Sequence, residues 1–167
     1  MSTIKNEVSL KQHWLVECFD SNGKLKWRED FDNLVVTEGR NTYLDYTLKT
    51  GLASPLWYVG LKGTGAIVAG DLMSSHAGWT ELTPYSNATR PAWTPGAISA
   101  GSVDNSASKA VFNINATSTI FGAFMTNNNT KGGATGILLG GADFAASRAV
   151  GSGDTLNVQV TCSLTST

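Results

Sequence analysis

His76 is where chemistry would start if this chain performed any. Asp71, Ser74 and Ser75 precede it and Glu81 follows, so a nucleophile, a base and an orienting acid lie in one short stretch. A hydrolytic triad needs more: a base held by a buried acid, and a serine on a fixed, strained turn. No Gly-x-Ser-x-Gly frames Ser74 or Ser75. The expectation for His76 is therefore local, a hydrogen-bonded ring that shapes the turn before Trp79, and no catalytic residue is assigned.

Metal chemistry finds no better footing. His13 and His76 are the only histidines, Cys18 and Cys162 the only cysteines, and no pair has zinc-ligand spacing. Asp104-Asn105-Ser106 offers oxygen ligands but lacks the repeated acidic positions of a calcium loop, and turn formation accounts for it. Gly60-Leu61-Lys62-Gly63-Thr64-Gly65 has the glycines of a phosphate loop, yet its lysine is misplaced and no Gly-Lys-Ser/Thr helix start follows. Neither a metal nor a cofactor is expected. The two cysteines read as small buried thiols rather than a bridge.

Aromatic residues are the more informative set. Trp57, Tyr58, Trp79, Tyr85 and Trp93 fall in the central segment beside Gly and Pro. Such side chains serve as core, as sugar-stacking platforms or as interface anchors. Trp57 and Trp79 are assigned to the core, because tryptophan is highly buried on average. Trp93, between Arg90-Pro91 and Pro95-Gly96, is the best exposed anchor. With Tyr85 and Arg90 on the same proline-bounded run, and Tyr43 and Tyr46 on a nearby helix, it forms the candidate interface.

Composition narrows the function class. Twelve basic residues face thirteen acidic ones, which leaves no basic field for nucleic acid or anionic lipid. From Ala92 to Thr167 the only charged residues are Asp104, Lys109, Lys131, Asp143, Arg148 and Asp154. A low-charge surface is cheap to desolvate against a partner, which favours an assembled protein. No apolar run is long enough for a spanning helix. The start, MSTIKNEVSLKQHW, has neither an apolar core nor a small-residue cleavage site, so it does not read as a secretory signal and synthesis in a cytoplasm is expected. The Asn-x-Thr triplets at Asn87, Asn115 and Asn128 then carry little weight as glycosylation sites.

The elements that position these residues are mostly strands. At 167 residues one domain is expected. Residues 1–10 read as a polar arm, and 11–167 as one β-domain with a hairpin and helix up to about residue 50. Gln12–Phe19 alternates Trp14, Val16 and Cys18 on one face. Asp20-Ser21-Asn22-Gly23 is a turn, and Lys24–Phe31 returns, with Trp14 and Trp27 placed to pair across the hairpin. Thr37 is the expected helix cap, Leu44 and Leu48 its apolar stripe, and Gly51 its stop. Leu56–Leu61 is an aromatic strand, Gly63–Gly70 a loop, and Asp71–His76 one helical turn. Gly78–Leu82 is a further strand. Pro84–Pro95 is confined to an edge by its prolines, and Ala97–Val103 also reads as an edge. Lys109–Asn115 and Thr117–Met125 read as consecutive central strands, followed by the Asn127–Gly133 loop and a strand at Gly136–Gly140. Asp154–Leu164 shows the cleanest alternation, with Leu156, Val158, Val160 and Cys162 on one face and Asn157, Gln159, Thr161 and Ser163 on the other. The sum is an all-β fold, an antiparallel β-sandwich or jelly-roll-like barrel of about nine strands with one short helix.

Six phrases carry a resemblance: ECFDSNGKLKWREDFDNLVVTEGRN, WYVGL, GDLMSSHAGWTE, YSNATRPAWTPG, SAGSVDNSASKAVFNINAT and GDTLNVQVT. Together they resemble small virion structural proteins of tailed bacteriophages, of the head-decoration or tail-fibre-associated type, over nearly the whole span from Trp14 to Val160. The resemblance implies a non-enzymatic particle component and transfers no site residues. The expected function is that of a capsid decoration, or cement, protein. Its partners would be the major capsid protein and further copies of itself, as dimer or trimer, on virions assembled in the host cytoplasm. The rivals are a tail-fibre, head-fibre or baseplate component contacting the host surface, and a lectin-like carbohydrate-binding module.

Overall fold

The computed structural model describes residues 7–49 and 51–166. The chain forms strands β1 (Val8–Phe19), β2 (Leu25–Asp32) and β3 (Leu34–Val35), then helix α1 (Thr37–Leu48). Strands β4 (Trp57–Lys62), β5 (Glu81–Leu82), β6 (Ala92–Trp93) and β7 (Ser102–Asp104) follow. A single 3-10 turn at Ser106–Ser108 leads into β8 (Ala110–Asn113), β9 (Ser118–Thr126), β10 (Leu138–Val150) and β11 (Thr155–Ser166). They assemble into two antiparallel sheets. The first runs β2-β1-β11, with β7 and β8 sharing the far edge of β11. The second runs β3-β10-β9-β4, with β5 and β6 sharing the far edge of β4. Neither sheet closes on itself, so the molecule is a β-sandwich and not a barrel.

One core fills the space between the sheets. Trp14, Val16 and Cys18 from β1, and Leu156, Val158 and Val160 from β11, face Val59, Leu61, Ile120, Ala123 and Met125 of the second sheet. The period-two pattern puts these residues on one face, and each large apolar side chain so buried contributes about 1.5–3 kcal/mol. A smaller cluster, Val36, Ile67, Met73, Trp79, Phe124 and Leu138, lies under the long connection between β4 and β5. Gly60 makes room for it, since a Cβ there would overlap the Phe124 ring.

Several expected details change. The two tryptophans of the hairpin are not paired: Trp14 lies opposite Phe31, ring on ring at 6.1 Å, while Trp27 lies opposite Cys18. The hairpin reverses through Asp20–Lys24, where the Asp20 carboxylate accepts both the Asn22 and Lys24 N–H groups and Gly23 takes φ +77°. Of the expected N-terminal arm, residues 1–6 lie outside the described residues, and Val8–Leu10 belong to β1, paired with Leu164–Ser166. Thr37 does not cap α1. Val36 occupies the cap position without a side-chain bond, and Thr37 instead donates its N–H to Ala69 O.

The helix also buries a different face from the one expected. Gly39 and Thr42 are inside, Tyr43 and Tyr46 half-buried, and Leu44 and Leu48 exposed. Gly39 is the reason, because it lets the helix lie directly on β10, where a Cβ would overlap the Leu139 carbonyl oxygen. Asp71–His76 forms a tight reversal rather than a helical turn, with Leu72 and Ser75 exchanging two backbone hydrogen bonds. Of Gly78–Leu82 only Glu81–Leu82 is strand. Strand β8 does not neighbour β9: it pairs with β11 at an edge of the first sheet, and the bend at 114–117 carries the chain across to the second. The strand expected at Gly136–Gly140 is the long β10, kept regular against β9 except for irregularities after Leu138 and Asp143. Among the described residues no helix is long and apolar enough to cross a membrane.

Candidate functional site

The N-terminal half of β1 and the C-terminal half of β11 pair as Leu10 with Leu164 and Gln12 with Cys162. Alternation turns Leu10, Gln12, Cys162 and Leu164 to the side where α1 stands. The gap between them is a groove of about 470 Å³, within the size range of small-ligand pockets, about 300–1,000 Å³. The helix supplies Thr42, Tyr43, Tyr46 and Thr47 as one wall, and Ser54, Pro55 and Trp57 continue it. Ile98, Gly101, Ser102 and Val103 close the opposite side.

Trp93 and Trp57 form its aromatic end. They are directly opposed across the β4–β6 ladder, and the Trp93 indole N–H donates to Val160 O at 3.0 Å, bridging the two sheets. At the base, the buried Gln12 amide donates to Met125 Sδ and Cys162 Sγ, each at 3.5 Å, and meets the side-chain amide of Asn33. Burial pushes the Cys162 thiol up, against a smaller opposite pull from Gln12, so it stays protonated at neutral pH. Among the described residues no Asp, Glu, Lys, Arg or His lines the groove. Its chemistry is therefore contact: apolar and aromatic surface with a few hydroxyls, suited to receiving uncharged groups.

Three of the five candidate interface residues meet here, namely Tyr43, Tyr46 and Trp93. The other two do not. Tyr85 is 1% exposed and Arg90 fully buried, which corrects their assignment to an interface. Tyr85 packs edge-on against Phe112 at 4.9 Å, with the Lys131 ammonium 4.4 Å from its ring centre. Arg90 binds Glu81 through two nitrogens, at 2.9 and 2.6 Å. It also donates to the carbonyls of Asn128 and Gly133 and lies over the Phe124 ring. The prolines beside Arg90 suggested a solvent-facing run, but a buried acid upstream gives the guanidinium a partner inside. Trp57, assigned to the core, is half-buried: it packs against the core cluster and also lines the groove, while Trp79 is core. Ile98 and Leu164 carried no signal of their own, because their place depends on which strands overhang.

The residues with chemical potential are held in structural roles. Asp71 accepts from the Trp79 indole and from Val68 N, both at 2.9 Å, and so does not orient His76. The His76 ring stacks on Trp79 with centroids 4.0 Å apart, and its Nδ1 lies 3.2 Å from Trp79 O. Glu81, the other nearby acid, is taken by Arg90. Lys62, the lysine of the glycine-rich stretch, is fully buried and donates to the carbonyls of Gly63 and Gly65 and to Asp143. Asp104 accepts from Ser106 N, and the buried Asn105 amide bonds Val158 O and Val160 N, stitching that turn to β11. Both cysteines are free. Among the described residues no three His, Cys, Asp or Glu side chains cluster where a metal could bind. Compared with known proteins, the chain matches no family model and no curated sequence.

Proposed function

We propose that this chain is a structural subunit of a tailed-bacteriophage particle, and specifically a capsid decoration protein that binds the outer shell and bridges neighbouring capsid subunits. The observation that carries this reading is the uncharged aromatic groove set in a braced sandwich. It offers neutral surface for docking, and its walls belong to two sheets, a helix and a loop that are pinned to one another. The wording of the six phrases quoted above adds the virion context. Contacts of modest strength suffice in this role, because a copy that touches two shell subunits at once gains from effective concentration. Burying such contacts across capsomer seams would oppose the outward pressure of packaged DNA.

Purified particles test the proposal. Mass spectrometry should find the chain at a copy number comparable with that of the shell protein. A reconstruction should place it on the outer shell, and particles lacking it should release DNA at lower temperature. A few copies confined to the tail or a vertex would favour the fibre reading instead, and absence from particles would overturn both.

A further inference from the structure

We infer that Asn22 is a site of spontaneous modification: its side-chain amide is lost to attack by the Gly23 backbone nitrogen, at a rate set by how often the Asp20 turn opens. The inference does not depend on what the chain binds.

Asn22-Gly23 is the only Asn-Gly pair in the chain. An asparagine amide is attacked by the backbone nitrogen of the residue that follows, and a side chain on that residue obstructs the approach. Glycine has none. Nothing else crowds the position, since a Cβ placed on Gly23 would meet no atom within 4 Å. Asn22 and Gly23 are both exposed, so water reaches them. Among the described residues, Asn22 bonds through its backbone N–H, which donates to the Asp20 carboxylate at 2.9 Å, and its side-chain amide is left free. By contrast, Asn87, Asn105 and Asn128 each have both amide atoms bonded.

The reaction needs only water and hydroxide. Hydroxide takes the proton from the Gly23 nitrogen, and that nitrogen bonds to the side-chain carbonyl carbon of Asn22. The carbon–nitrogen bond of the amide then breaks and releases ammonia, its extra proton supplied by water. Water opens the resulting cyclic imide at one carbonyl or the other. One opening gives aspartate, and the other gives isoaspartate, in which the main chain runs through the side-chain carbon.

The turn acts as the brake. Gly23 donates its N–H to Asp20 O and Asp20 donates its N–H to Lys24 O, both at 2.9 Å, while the Asp20 carboxylate accepts from Asn22 and Lys24. The attacking nitrogen is released only when this set opens. The reversal is exposed and leads into β2, an edge strand of the first sheet, and such a segment is among the first to open in a folded protein.

Peptide mapping by mass spectrometry, on the full chain kept folded in mildly alkaline buffer, reads the site directly. Asn22 should be the first asparagine to exchange NH for O, as a mixture of aspartate and isoaspartate. Asp20→Ala removes the carboxylate that braces the turn and should speed the conversion by about fivefold, the factor that one lost hydrogen bond corresponds to. Circular dichroism and Tm report any wider loss of structure in that variant. Wild type in urea, with the turn opened and no residue changed, should show an acceleration of its own. Asn22→Gln places the amide one carbon further from the Gly23 nitrogen and should stay unmodified there. In aged wild type the Asp20 amide should exchange hydrogen faster, because isoaspartate lengthens the reversal. An Asn22 that stays intact while other asparagines convert would overturn the inference. Equal rates in wild type, Asp20→Ala and urea would overturn it too, because the turn would then not govern the reaction.

Discussion

Asp154 sits at 6% exposure at the junction of β11 with the turn before it, and three groups share its carboxylate. Lys26 approaches at 2.5 Å, Gly151 donates its N–H at 2.8 Å, and the Cys18 thiol lies 3.7 Å away. Desolvation pulls the carboxyl upward, but the Lys26 ammonium and the Gly151 and Cys18 donors outweigh it and hold Asp154 below its ordinary value. The same site pushes Cys18 up to about 12, through burial first and the neighbouring carboxylate second. A carboxylate whose folded pKa is depressed adds stability that is present above its unfolded value of 3.8 and lost as pH falls through the folded value. Lys26, raised by its hydrogen bond to Asp154, adds stability that is present below 10.5 and lost as pH rises through its folded value. Lys26→Met removes the main outweighing partner. Acid unfolding followed by tryptophan fluorescence should then begin at higher pH than in the wild type, whereas an unchanged acid limb would show that Gly151 and Cys18 suffice. Lys26 is partly exposed, so the effect should shrink in high salt.

Helix α1 owes its place to a missing side chain rather than to an apolar stripe. Its first turn is tied by Glu38, whose carboxylate accepts Met73 N at 3.2 Å and Leu138 N at 2.7 Å, and Gly39 then lies on the Leu139 carbonyl. In Gly39→Ala the added methyl meets backbone that cannot swing away. Urea unfolding should show a loss of about 1–3 kcal/mol, the usual cost of overpacking, with the groove wall displaced along with the helix. A midpoint equal to wild type would mean that the helix rides freely on β10. This element also marks the limit of what could be read from the chain. The alternation of β11 and the Asp20–Gly23 turn are local signals, and they gave the right strand and the right reversal. The face of α1 was misjudged because Leu44 and Leu48 stand at helical spacing, while the contact that decides the face is made by a glycine with β10. The two-residue strands β3, β5 and β6 have no period to detect, since each exists only through its partner. The separation of β8 from β9 into different sheets depends on the bend at 114–117, which sequence cannot distinguish from a hairpin. Tyr43, Tyr46 and Trp93 were singled out as aromatic anchors without any indication that they share a groove. Arg90 was misplaced because its partner Glu81 belongs to another segment.

Across the whole molecule the two sheets are locked at several points, which makes the sandwich a rigid carrier for its groove. Glu29 of β2 binds Arg148 of β10 at 2.5 Å and is 96% shielded from solvent, Trp27 donates to Ala149 O, and Phe31 meets Phe144 edge-on at 5.5 Å. On the opposite side the Trp93 bond to Val160 performs the same service. Within the second sheet, Lys62 reaches Asp143 across β9 because the residue between them in the register is Gly122. Most of this framework joins residues far apart in sequence. A β-topology of this kind should fold slowly, in about milliseconds to seconds, and stopped-flow refolding is expected to show that timescale, with a microsecond relaxation counting against it.

The pairing of Val8 with Ser166 has a temporal meaning as well. Strand β11 is the spine of the first sheet, bonded to β1, β7 and β8, and it follows all three in chain order. A β1–β2 hairpin formed before β11 is made would have an open edge and an uncovered apolar face. Nascent chains should depend on a holdase until β11 emerges. Once β11 docks, its partnership with β1 runs the full length of both strands, from Phe19 with Thr155 to Val8 with Ser166, and closes that edge along its whole length.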